Sequence, residues 1–155
     1  MSEYTVALLF GGNIGDAVMQ FDTACRKLEF CGFSVQKRSP VFRTEPVDCV
    51  PGTPDFKDQA LSGIWNGTAR ELLELLQQTE RHFGRSANHR SDMSRTLDCD
   101  IIFFGNQVVN EPDLIIPHPR MHNRLFVLEP LFEIAPDFIH PVLNRQVSQI
   151  LKGYK

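Results

Sequence analysis

The chain has 155 residues, a length that suits one domain, and carries 16 Lys plus Arg against 19 Asp plus Glu, a formal charge of −3. Apolar residues at 42% and charged residues at 23% are ordinary globular usage and exclude a disordered chain, while the mild acidity argues against non-specific nucleic-acid binding. No apolar run approaches the roughly 20 residues of a membrane-spanning helix, and the first residues show no secretory pattern.

The first apolar run, residues 4–10, stops at Gly11-Gly12 and reads as a buried strand, with residues 11–16 a loop by composition. Ala17, Val18, Phe21, Ala24, Cys25, Leu28 and Cys31 recur at helical spacing, with Asp16 as N-cap and Gly32 just past the end. Residues 33–44 form a strand with an irregularity at Ser39-Pro40, because proline cannot donate to a ladder. Residues 45–55 contain Pro46, Pro51, Gly52 and Pro54 and make a loop of a length usually reserved for function. Residues 56–65 are the next strand, with Phe56, Asp58, Ala60 and Ile64 on one face.

Asn66-Gly67 is a turn, and Thr68-Ala69-Arg70-Glu71 matches a capping box for a helix striped by Leu72, Leu73, Leu75, Leu76 and Phe83. Residues 85–95 are polar and without period. Residues 96–104 give the clearest strand, and Gly105-Asn106 reads as a two-residue hairpin turn into residues 107–110. Pro112, Pro117 and Pro119 mark a loop, and helical patterning returns at 125–135 and 147–151. Strand, helix, strand, strand, helix, strand is the split β-α-β unit doubled. The expected fold is therefore α+β: a ferredoxin-like βαββαβ antiparallel sheet with a C-terminal helical appendix, and residues 1–155 forming a single domain. Cys25, Cys31, Cys49 and Cys99 include no Cys-x-x-Cys pair, which with the missing export pattern points to a reducing, cytoplasmic setting.

Asp98-Cys99-Asp100 lies inside the strongest strand, so both carboxylates share a face about 7 Å apart. Such a pair repels unless a cation sits between, and Mg²⁺ is typically held by one or two carboxylates plus substrate phosphates. Phosphate would find its counter-charge in two basic runs that flank the pair: Arg85, His89, Arg90 and Arg95 before it, His118, Arg120, His122 and Arg124 after it. His118 and His122 have zinc-ligand spacing on a helix, but Pro119 breaks such a helix. No Walker A loop, dinucleotide fingerprint, protein-kinase loop set or Gly-x-Ser-x-Gly elbow is present.

Arg95-Thr96-Leu97-Asp98-Cys99-Asp100-Ile101, Pro117-His118-Pro119-Arg120 and Arg124-Leu125-Phe126-Val127-Leu128-Glu129-Pro130-Leu131 resemble the 6-hydroxymethyl-7,8-dihydropterin pyrophosphokinases of folate biosynthesis. Gly11-Gly12-Asn13-Ile14-Gly15-Asp16, Phe42-Arg43-Thr44-Glu45-Pro46-Val47 and Phe132-Glu133-Ile134-Ala135-Pro136 fit the same family, in the same order over nearly the whole chain. The resemblance implies transfer of pyrophosphate from ATP to the pterin hydroxymethyl group, with AMP released and two Mg²⁺ ions held at Asp98 and Asp100. It assigns Arg85, Arg95, Asp98 and Asp100 to catalysis, and Gln77, Glu80, Arg85, Arg95, Ile101, His118 and Arg124 to ATP. Thr44, Pro46, Val47, Phe56, Asp58 and Phe126 fall to the pterin, with Phe56 and Phe126 flanking the ring and loops at 13–16, 47–54 and 85–95 closing over it. Gly12 stands where the family usually has serine, Asp58 where it usually has asparagine, and Asp113 and Ile115 replace groups that touch ATP in some members. The partners implied are these two small molecules, without nucleic acid or membrane, and the chain is expected to be a monomer.

Three other readings compete. A polymerase or cyclase palm also sets two aspartates on such a sheet but has no use for a pterin-sized pocket. An RNA-recognition module needs an aromatic Lys/Arg-Gly-Phe/Tyr pattern that is missing. A family-derived binder with little activity would keep the same residues.

Overall fold

The computed structural model describes residues 3–45, 51–83 and 96–154. Tyr4–Gly12 (β1) takes the interior of the sheet because both its faces are apolar: Val6, Leu8 and Phe10 on one, Ala7 and Leu9 on the other. Ala17–Phe30 (α1) follows, its first turn capped by Asp16, which accepts the Met19 N–H at 3.1 Å. Gly32, at φ 102°, ends that helix in a left-handed conformation that a side chain would strain.

The chain returns as Ser34–Arg38 (β2), breaks, and resumes as Phe42–Thr44 (β3), both antiparallel to Phe56–Trp65 (β4). The break falls at Ser39-Pro40, as expected where an N–H is missing. Ser39 bridges it from both sides: its N–H donates to the Ala60 carbonyl at 2.8 Å, and its Oγ accepts the Ala60 N–H at 3.0 Å. Gln59 Nε2 donates to the Ser39 carbonyl at 2.8 Å, and Arg38 ties Gln59 to Asp22 of α1.

Ala69–His82 (α2) opens with the expected capping box, in which Thr68 Oγ1 accepts the Glu71 N–H and Glu71 Oε1 accepts the Thr68 N–H. Asp98–Phe104 (β5) then pairs antiparallel with β1. The strand order β2-β4-β1-β5, all antiparallel, is the ferredoxin-like arrangement, with β3 extending the ladder on β4. One face is buried by α1 and α2 through Phe21, Leu28, Leu72 and Leu76. The other is buried by Leu125–Ile134 (α3) and Val147–Lys152 (α4) through Leu128, Leu131 and Ile150. No helix among the described residues is long and apolar enough to cross a membrane.

Two expectations are corrected. β1 does not stop at Phe10 but runs through Gly11 and Gly12, which pair with Asp58 and Lys57 of β4; a Cβ on Gly11 would stand 2.9 Å from the Asp58 carboxyl, so a larger residue there would displace it. The Gly105-Asn106 turn does not open a hairpin on β5 either. The Gly105 N–H is taken by the Thr5 carbonyl and the chain leaves the sheet, so that Val109–Glu111 (β6) pairs with Leu114–Ile116 (β7). Arg70 of α2 holds this separate hairpin through Glu111 and Asp113.

Gly63 offers a direct test of the packing. A Cβ there would run into the Ser34 carbonyl and the Phe33 ring, so either the β2 backbone or a fully buried phenyl must move. Gly63→Ala should therefore lower stability by about 1–3 kcal/mol, the scale of an overpacked core. An unchanged urea midpoint would show that β2 yields freely.

Candidate active site

Where β1 ends, the register aligns Asp58 of β4, Gly11 of β1 and Asp98 of β5 in one row, with Asp100 two residues along β5 beside Leu9. Strand alternation puts all three carboxyls on the face that carries Leu9 and Ala60, the face covered by α3. Asp58 is 6% exposed; Asp98 and Asp100 are half-buried. β3 completes the row by setting Phe42 opposite Asp58 and Thr44 opposite Phe56. Thr44, Phe56 and Asp58 thus share the acidic face, and α3, packed over β4 and β3, brings half-buried Phe126 to it.

Burial, and then the negative charge of Asp98 and Asp100, pushes the Asp58 carboxyl up to about 7. In the cation-free protein the folded state therefore keeps a proton that the unfolded chain releases near 4, so this group lowers stability progressively from about pH 4 to pH 7. The distance to about 7 corresponds to on the order of 4 kcal/mol. Asp58→Asn, stripped of divalent cations, should unfold at a higher urea midpoint than the parent at pH 8 and at the same midpoint at pH 4. Identical midpoints at pH 8 would mean that neither burial nor the charge of Asp98 and Asp100 raises the Asp58 carboxyl.

His118 is held below its ordinary value by burial first, then by Arg124 and Arg120, against the opposing pull of Asp98. Its backbone N–H donates to the Ile102 carbonyl at 3.1 Å, which seats it on the outer edge of β5. Its Nδ1 accepts the Arg120 N–H at 3.3 Å, which assigns the ring proton to Nε2. Arg124 lies at the start of α3 with its guanidinium carbon 5.5 Å from the centre of the Phe126 ring, a cation–π distance. Glu80, at the end of α2, accepts the Cys99 N–H through Oε2 at 2.7 Å and pins the helix to the edge of β5 between the two aspartates. Gln77 is exposed one turn earlier on α2, and Ile101 is buried in β5.

The structure thus gathers Thr44, Phe56, Asp58, Asp98, Asp100 and Phe126 on one face of the sheet, with His118 and Arg124 in electrostatic reach of that face. Pro46, Val47, Arg85 and Arg95 lie outside the described residues, as do His89 and Arg90. Gly11, Phe42 and Asn13 also contribute: all three stand in stretches that carry the family resemblance, but Gly11 and Phe42 owe their place in the row to strand register. Asn13 is 6% exposed and donates from Nδ2 to the Pro54 carbonyl at 3.2 Å, joining the loop after β1 to the loop before β4. In the sequence it opens the loop at 13–16, one of the three expected to close over the site.

Sheet order and acidic row together define a ferredoxin-like α+β protein with its polar site at one end of the sheet. The family model described as 7,8-dihydro-6-hydroxymethylpterin-pyrophosphokinase (HPPK) matches residues 7–136, and the chain belongs to that family. It is 38% identical over 143 residues to the 2-amino-4-hydroxy-6-hydroxymethyldihydropteridine pyrophosphokinase of Bacillus subtilis, covering 92% of this chain and 84% of that one. The Haemophilus influenzae protein of the same name is 32% identical over 152 residues, covering 97% and 92%. A folate synthesis bifunctional protein of Arabidopsis thaliana is 36% identical over 129 residues, and there the match spans 83% of this chain but 26% of the relative. A crystal structure of wild-type Plasmodium falciparum HPPK-DHPS superposes with a TM-score of 0.76 at 14% identity, over 97% of this chain and 44% of that one, and supports the fold.

Proposed function

We propose that this chain transfers pyrophosphate from ATP to 6-hydroxymethyl-7,8-dihydropterin, giving the pterin diphosphate and AMP, a step of folate biosynthesis. The observation that carries this is the row Asp58–Gly11–Asp98, with Asp100 beside it, under a helix that presents Phe126, in a chain of this family. The substrate hydroxymethyl oxygen attacks the β-phosphorus of ATP, and negative charge builds on the oxygen that bridges to the α-phosphate. Arg85 and Arg95 stabilise that charge. His118 Nε2–H and the Arg124 guanidinium supply donors to phosphate oxygens, and Gln77, Glu80 and the β5 backbone at Ile101 hold the nucleoside.

The site fits Mg²⁺: its donors are hard carboxylate oxygens, and burial, with the negative charge of Asp98 and Asp100 added to it, pushes the Asp58 carboxyl upward. Asp98 and Asp100 would hold the ions, two by the family pattern, which when bound neutralise and orient the triphosphate. We place the enzyme in the cytoplasm as a monomer, with residues 1–155 as one catalytic domain.

The pterin lies between Phe56 and Phe126, bordered by Thr44, Pro46 and Val47. A pterin presents a ring N–H and an amino group side by side. A carboxylate accepts both at once, so Asp58 serves here at least as well as an asparagine would. Asp58→Asn should be mild, and Asp58→Leu should strand two donors at about 1–3 kcal/mol each in calorimetric pterin binding. Binding by Asp58→Leu within about twofold of the parent, roughly 0.4 kcal/mol, would remove Asp58 from the substrate pocket. The activity itself is tested by AMP formation from Mg-ATP with and without the pterin. Pterin-dependent AMP is the expected result, and its absence overturns the proposal.

A further inference from the structure

A cavity of about 460 Å³ opens in the C-terminal appendix, lined by His122, Asn123, Leu143, Arg145, Ile150 and Tyr154 among others. Apart from His122, which the sequence places in the basic run after the aspartate pair, none of these residues has a part in the ATP, pterin or cation reading above. The volume is in the range of small-molecule pockets, roughly 300–1,000 Å³. Its chemistry is one-sided: a guanidinium, an imidazole and an amide converge on it, Leu143 and Ile150 supply apolar wall, Tyr154 supplies a ring, and among the described residues no carboxylate lines it.

The walls are built rather than incidental. His140, 5% exposed, accepts the N–H groups of Val142 and Leu143 on its Nδ1 at 3.1 and 3.0 Å. Its backbone N–H donates to the Arg145 carbonyl at 2.8 Å, and its carbonyl accepts the Asn144 N–H at 2.8 Å, with Asn144 at φ 55° closing the turn. This loop is the wall that carries Leu143 and Arg145. The opposite wall is tied to it by the His122 ring, edge-on to His140 at 6.5 Å. Arg145 Nη2 donates to the Gln149 carbonyl at 3.1 Å, which anchors the guanidinium over α4 while its fork of five N–H groups keeps donors to spare.

We propose that this cavity is a second binding site, for a small organic anion that carries one phosphate or carboxylate on a ring. The anion would take the Arg145 fork with help from His122 and Asn123, and the ring would lie against Leu143, Ile150 and Tyr154. Two ring-bearing probes, phenyl phosphate and benzoate, separate the two sources of negative charge, and inorganic phosphate controls for charge alone. None of them is a nucleotide or a pterin, so the result stands whatever the activity assay gives.

The experiment is an amide NMR titration of the full chain with each probe. The expected result is saturable shifts at Asn123, Leu143 and Gly153 with phenyl phosphate or benzoate, at about 1 mM or tighter. Arg145→Gln should weaken them roughly tenfold, the value of a charge-assisted hydrogen bond, with turnover and the remaining spectrum unchanged. An absence of shifts at these amides, or shifts that survive Arg145→Gln, overturns the site. Equal affinity for inorganic phosphate overturns the ring-bearing ligand and leaves an adventitious ion only.

Discussion

Asp98→Asn and Asp100→Asn are each expected to lose turnover by roughly a hundredfold or more, the several kcal/mol that a bound divalent cation contributes to a transition state rich in charge. Both residues sit on one face of β5 and both act electrically on Asp58, which fixes them as a local concentration of negative charge. The amide keeps the size and shape of the carboxyl but removes that charge, so affinity for a hard cation falls while packing is preserved. Each substitution also relieves repulsion toward buried Asp58, so stability should hold or rise. The measurement is kcat across a Mg²⁺ series, with partial recovery at high Mg²⁺ and a urea midpoint in cation-free buffer no lower than the parent's. Turnover like the parent's at ordinary Mg²⁺ would sink the cation assignment for that residue.

The second large effect is expected at Arg85 and Arg95. If each donates to charge that appears only as the β-phosphorus is transferred, truncation to alanine removes transition-state stabilisation and leaves ground-state binding nearly intact. The loss should be about 2.7–4 kcal/mol per residue, the scale for one preorganised charge-stabilising donor. That is roughly a hundred- to a thousandfold in kcat, with KM for ATP and for the pterin altered far less. A variant changed only in KM for ATP would make that arginine a binding residue.

Much of the architecture was legible because its limits are written in local chemistry. β4 runs from Phe56 to Trp65 as read, bounded by Pro54-Asp55 on one side and Asn66-Gly67 on the other. The capping box announced α2, and Pro40 announced the break between β2 and β3. The small hairpin was illegible, since three residues per strand leave no period to detect and prolines stand beside both strands. Gly11-Gly12 read as a loop because glycine is depleted in strands, and what overrides the propensity is pairing with β4, where Gly11 stands directly opposite the Asp58 carboxyl.

The site divides in the same way. A period of two suffices to put Asp98 and Asp100 on one face, and Phe56 with Asp58 on another strand. That these two faces coincide, with Gly11 between them and Phe42 beyond, depends on register, which is set by tertiary pairing of Gly11 with Asp58 and Asp98 and of Phe42 with Asp58. The same holds for His140, whose ring organises a turn that no motif marks.

The central claim is transfer of the two terminal phosphates as one unit, with attack at the β-phosphorus. It is tested most directly by following ATP labelled separately in its β- and γ-phosphates in the presence of Mg²⁺ and 6-hydroxymethyl-7,8-dihydropterin. Both labels are expected on the pterin in equal amounts, with one AMP formed for each pterin consumed. Transfer of the γ-label alone with ADP left behind, or release of both labels as free pyrophosphate whether or not the pterin is present, would contradict it.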